Sequence, residues 1–260
     1  MSLDLGASSA LRRGTTAAAL LLLATLASCQ DGPAECEPPL THVKTEAALA
    51  ELPDLWAQPG AETLRLVVTT GPYRVSEAAI ETLRGALAEQ AGLALEVIDG
   101  IDTHLPATDV ANWPFAVERG RAQLPDGDAP AMVVVMVQDT TAANSTFGFA
   151  SFDWSDRRTA VLVLHRAALR GFAIAPVSME TLEASTMLHE VGHWLGVPAR
   201  THHISAVDSL HCTNARCVMF AGGRINSCAV SANLAGGIPL RFGPDCAEEL
   251  AELARRRAAR

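Results

Sequence analysis

The stretch Thr186-Met-Leu-His189-Glu190-Val-Gly192-His193-Trp-Leu195-Gly196 decides how this chain is read. It closes a proline-free segment, Ser178 to Leu195, that reads as one helix. Histidines four apart stand on one face of a helix, so both imidazoles can reach a single cation. Glu190 sits beside the first of them, where a carboxylate can accept a proton from water acidified by a metal. Gly196 falls where the helix must end and the chain turn back.

The stretch resembles the metzincin pattern HExxHxxGxxH, in which the glycine lets the chain return a third histidine to the metal. The position of that third histidine is Ala199, which cannot ligate. Three later histidines are candidates: His202, His203 and His211. The residues around His211, His211-Cys212-Thr-Asn-Ala-Arg-Cys217-Val-Met219, read HCxxxxCVM. This resembles the archaemetzincins, whose signature runs HExxHxxGxxHCxxxxCxM. Upstream, Gly148-Phe-Ala150 and Ala160-Val-Leu-Val-Leu164 are similar to strands before the family's active helix. Downstream, Phe242-Gly-Pro-Asp-Cys246 is similar to its closing FCxxC. The resemblance runs over about Phe147 to Leu250, less than half the chain. It implies that His189, His193 and His211 ligate zinc, that Glu190 is the catalytic base, and that Met219 is the Met-turn residue beneath the imidazoles.

The chain departs from that pattern twice. Twelve extra residues lie between Gly196 and His211 relative to the family spacing. A loop insertion costs little, each doubling of length adding only ~0.6 kcal/mol of closure entropy, so the ligand can still return. His202 or His203 remains an alternative third ligand, or a solvated pair beside the cleft. Secondly, Gly243 takes the first cysteine position of the closing CxxC. In the family four cysteines hold a second, structural zinc. Here Cys212, Cys217, Cys228 and Cys246 are expected to form disulfides in an oxidising compartment, with a second zinc as the less favoured outcome. Cys36 is left odd.

Outward from this segment, the fold class reads as α/β, a mixed twisted sheet with an active-site helix and a C-terminal helix. Leu64 to Thr70, Leu93 to Ile98 and the continuous apolar run Ala131 to Val137 are expected strands. Ser145 to Phe152 and Thr159 to Leu164 are two more. Ala79, Ile80, Leu83, Leu87 and Ala91 recur at helical spacing, with Ser76 as N-cap and Gly92 as stop. Asp245 to Arg257 is the closing helix, its arginines suiting the helix dipole as a solvated basic end. Trp56 and Trp194 are expected in the core or at its rim. There is no internal repeat, no GxSxG elbow and no phosphate-binding glycine loop.

The 260 residues are 49% hydrophobic and 19% charged, ordinary for a globular protein. The net charge of −9 and the single tyrosine disfavour nucleic acid as a partner. Arg12 and Arg13 precede the apolar run Ala17 to Leu26, too short to span a bilayer, and Leu26-Ala-Ser-Cys29 follows. That segment resembles the lipobox of bacterial lipoproteins, which implies cleavage before Cys29 and its lipidation. Gln30 favours the outer membrane by the same resemblance. The expected division is a signal peptide at 1–28, lipidated cysteine, tether and extension at 29–60, and a zinc peptidase domain at 61–260. Removal of 1–28 takes Asp4, Arg12 and Arg13, leaving −10.

These features lead to an expectation of a zinc-dependent, membrane-tethered peptidase acting on a peptide or protein. The edge of the Phe147 to Phe152 strand is expected to pair with extended substrate. The alternative is a non-catalytic, zinc-stabilised binding lipoprotein, which would close the metal's fourth position.

Overall fold

The computed structural model describes residues 54–58, 60–69, 74–100, 113–127, 129–137, 147–152, 157–173, 177–205, 210–220 and 237–260. The expected signal peptide, Cys29, the tether, Cys36 and Cys228 lie outside them. Five strands form one sheet: β1 (Thr63–Val68), β2 (Ala94–Asp99), β3 (Ala131–Val137), β4 (Gly148–Phe152) and β5 (Thr159–His165). Their order is β2-β1-β3-β5-β4. The pairings among β2, β1, β3 and β5 are parallel, and β4 runs antiparallel to β5 at the edge. This is the expected mixed sheet.

The helices are α1 (Glu77–Ala91), α2 (Trp113–Arg121), α3 (Arg166–Phe172), α4 (Met179–Leu195) and α5 (Pro244–Ala258). Both expected caps of α1 are present. Ser76 Oγ accepts from the Ala79 N–H, and Gly92 adopts the left-handed conformation at φ 59°. α4 is capped alike, by Ser178 and by Gly196 at φ 93°. A residue with a Cβ is strained in that region, which is why the turn behind the helix falls on glycine.

Alternation along the strands divides the apolar residues between two faces. Leu64, Leu66, Val68, Met132, Val134, Met136, Leu162 and Leu164 join α1, α4 and α5 in the larger core. Val67, Val133, Val135, Val137, Val161 and Val163 face the other way, with Val117 of α2 among them. β3 is buried at every position because helices cover both faces. Trp56 and Trp194 are fully buried and meet edge to face with ring centroids 4.8 Å apart, and Trp56 Nε1 donates to the Trp194 carbonyl. Leu55 and Trp56 belong to the larger core, so the packed body takes in residues before the expected boundary at 61. No helix among the described residues is long and apolar enough to cross a membrane.

One element was not anticipated and one expectation changes. α2 was not legible in part because glycine stands where the helix comes nearest the sheet: a Cβ at Gly120 would lie 2.5 Å from Val161 Cγ1, so this contact has no apolar side chain to mark it. Nor is the C-terminal basic run merely solvated. Arg257 donates to the carbonyls of Trp56, Ala91 and Gly92, tying α5 to the end of α1.

Candidate metal centre

α4 carries His189 and His193 into one space, and the segment after the insertion brings His211 to them. His193 Nε2 lies 3.1 Å and His211 Nε2 3.2 Å from His189 Nε2. A tetrahedral zinc with Zn–N of about 2.0–2.1 Å sets its nitrogens about 3.3 Å apart, so these three fit such an ion. His189 Nδ1 is 2.7 Å from the Val218 carbonyl. A carbonyl only accepts, so the Nδ1–H is the donor and the Nε2 lone pair faces the other two rings. Burial first, then the neighbouring His189, His211 and Arg157, hold the His193 imidazole well below its usual range. His193 is therefore neutral at pH 7, the form that ligates.

Glu190 points toward the sheet edge, where its Oε2 accepts from the Ala150 N–H of β4 at 2.9 Å. Burial raises its carboxyl above the ordinary range, partly offset by His189 and that hydrogen bond. A more basic carboxylate is a better proton acceptor near neutrality. The same contact ties the edge strand to α4. Gly148 makes the approach possible, since a Cβ there would stand 2.7 Å from the Val163 carbonyl and 3.0 Å from Thr186 Cγ2.

Behind α4, Met219 packs directly under Gly192: a Cβ at 192 would collide with Met219 Sδ and lie 2.9 Å from Phe242 Cε1. The turn that carries Met219 also supplies the Val218 carbonyl to His189. Gly192→Ala is therefore expected to overpack this contact, costing about 1–3 kcal/mol of stability and weakening zinc affinity by displacing Val218. Chemical denaturation and zinc competition on the variant check both; unchanged values would place Met219 elsewhere. Arg157 donates to the carbonyls of His193 and Trp194, and Trp194 Nε1 donates to the Arg157 carbonyl. These bonds satisfy carbonyls in the last turn of α4, and nothing in the sequence signals them.

The other two candidate histidines are elsewhere. His202 is exposed and 3.3 Å from Asp245. His203 is buried at a second cluster, with Nδ1 3.5 Å from Cys212 Sγ and 3.8 Å from Cys246 Sγ, and Nε2 2.9 Å from Glu249. Burial alone would lower the His203 imidazole, but its bonds to Cys212 and Glu249 outweigh this and raise it to about 9. Cys217 contacts the Cys212 and Cys246 thiols, which bring its own down to about 4 while Cys246 is pushed up. All three cysteines are unbridged and buried, so the expected disulfides are not formed among them. They surround an imidazole and backbone N–H groups instead. Ala199, at the family's third-ligand position, donates its N–H to Glu249.

No protein-family model and no curated protein matches the chain. Two solved structures are similar to it in fold. Archaemetzincin from Methanopyrus kandleri is 16% identical, covering 75% of this chain and 97% of its own, with a TM-score of 0.48. A zinc-dependent peptidase from Methanocorpusculum labreanum is 14% identical, covering 72% and 99%, with a TM-score of 0.42. Likenesses this distant say nothing of function, which rests on the residues above.

Proposed function

We propose that this chain is a zinc-dependent metallopeptidase held at a bacterial envelope membrane by a lipid on Cys29. The observation that carries the activity is the convergence of three Nε2 atoms at zinc-like separations beside a buried carboxylate. His189, His193 and His211 would hold the ion, leaving a fourth position open as in catalytic rather than structural sites. When bound, zinc would acidify water and polarise the scissile carbonyl. Glu190 would take the proton from the attacking water and pass it to the leaving amine. The Ala150 N–H would fix the carboxylate's direction. β4, the last strand of the sheet, would take up an extended peptide along its edge, which would set the scissile bond next to Glu190.

Zinc per chain, measured on the unmodified protein and on His211→Ala, tests the ligand set. The variant is expected to hold one zinc fewer; equal content in both would remove His211, and no uptake of zinc by the unmodified protein would end the peptidase reading. The anchor rests on the arginine pair, the short apolar run and Leu-Ala-Ser-Cys29. Cys29→Ser is expected to move the protein out of the membrane fraction and abolish incorporation of labelled fatty acid; unaltered labelling would exclude Cys29 as the lipid site.

A further inference from the structure

We propose that Arg157 is a positioning residue of the metal centre, its guanidinium tying the end of α4 to the edge strand that would take up the peptide. The assignment deepens the peptidase reading and rests on it. Arg157 lies in the connection between β4 and β5, outside the motifs that picked out the histidines. Its Nη1 donates to the His193 and Trp194 carbonyls, both at 3.1 Å. Its guanidinium carbon stands 5.3 Å from the ring centre of Phe152, the last residue of β4. One side chain therefore reaches both a candidate metal ligand and the strand beside it.

The backbone of Arg157 is held as firmly as its side chain. Trp194, whose side chain is fully buried, donates its Nε1–H to the Arg157 carbonyl at 2.6 Å. Arg157 adopts φ 51°, and among the described residues it is the one non-glycine in the left-handed region. A residue with a Cβ is kept there only where its surroundings over-determine it, and such places gather at functional sites.

The carbonyls that Arg157 meets are of the kind a helix end leaves without intrahelical partners, at the negative end of the helix dipole. Gly196 N–H also reaches the His193 carbonyl and Trp56 Nε1 the Trp194 carbonyl, so both lone pairs of each are used. Of these donors Arg157 is the one that brings a cation, and the one that continues to β4. Strand and helix meet at intervals of about a turn. Gly148 lies against Thr186, the Ala150 N–H holds Glu190, and Arg157 holds His193 and Trp194. The first two contacts fix the strand beside the carboxylate, and the third fixes it beside His193. Without the third, a bound peptide would shift against the ion while keeping its contacts with the strand, which lowers kcat more than it raises KM.

Arg157→Gly tests this, since glycine accepts a positive φ without strain and only the side chain is removed. With a fluorogenic peptide that the unmodified, zinc-loaded chain cleaves, kcat is expected to fall roughly 10–100-fold while KM stays within about three-fold. Release of the His211-dependent zinc (the ion missing from His211→Ala) to a chromophoric chelator should quicken about 10-fold. A single nitrogen makes both hydrogen bonds, so the ammonium of Arg157→Lys can stand in for it and should recover much of both losses. Unchanged kcat and unchanged zinc release in Arg157→Gly would overturn the assignment. So would a rise in KM alone, or losses no smaller in Arg157→Lys than in Arg157→Gly, which would make the residue a brace of the fold. If the unmodified chain holds zinc but cleaves no peptide, the peptidase reading fails, and zinc release still decides whether Arg157 positions His193.

Discussion

Replacing Glu190 by glutamine is expected to lower peptide cleavage by roughly 10²–10⁴-fold while leaving metal content unchanged. The amide oxygen can still accept from the Ala150 N–H, so α4 keeps its contact with β4. What is lost is the capacity to take and return a proton, in a carboxylate whose burial already favours proton uptake. A cleavage rate within a few-fold of the unmodified protein, with zinc retained, would remove Glu190 as the base. Loss of zinc along with activity would instead make Glu190 a structural support of α4, and the binding-lipoprotein alternative would gain.

The parts of the fold that were legible in the sequence are those whose local chemistry agrees with their packing. Ser76 and Gly92 bracket α1, Ser178 and Gly196 bracket α4, and the all-apolar β3 is buried on both faces. The pair His189 and His193 followed from helical spacing alone. α2 was hidden in part because Gly120 supplies closeness to β5 in place of an apolar side chain. α3 was hidden because it follows β5 with no break residue between them. The choice among His202, His203 and His211 was not a matter of spacing. It depends on how the insertion folds back, and that is governed by Glu249, which in sequence reads as one more acid on a charged helix.

Glu249→Ala is accordingly expected to be among the most destabilising single changes in the chain, at about 3–5 kcal/mol. Its carboxylate, fully buried on α5, receives the N–H groups of Ala199 and Arg200 at 2.9 and 2.6 Å and the His203 imidazole at 2.9 Å. Truncation takes the acceptor from all three donors, two of them in buried contacts. The neighbouring Glu248 provides the control. It is exposed and pairs with the exposed Arg200 guanidinium, so Glu248→Ala should change stability by only about 0–1 kcal/mol. Urea denaturation of both variants, each with its metals bound, measures the difference. If the two midpoints fall together, Glu249 is not the post on which the insertion turns. If Glu249→Ala alone collapses, one buried carboxylate sets the path from Gly196 to His211, and so determines that His203 goes to the sulfurs while His211 goes to the helix histidines.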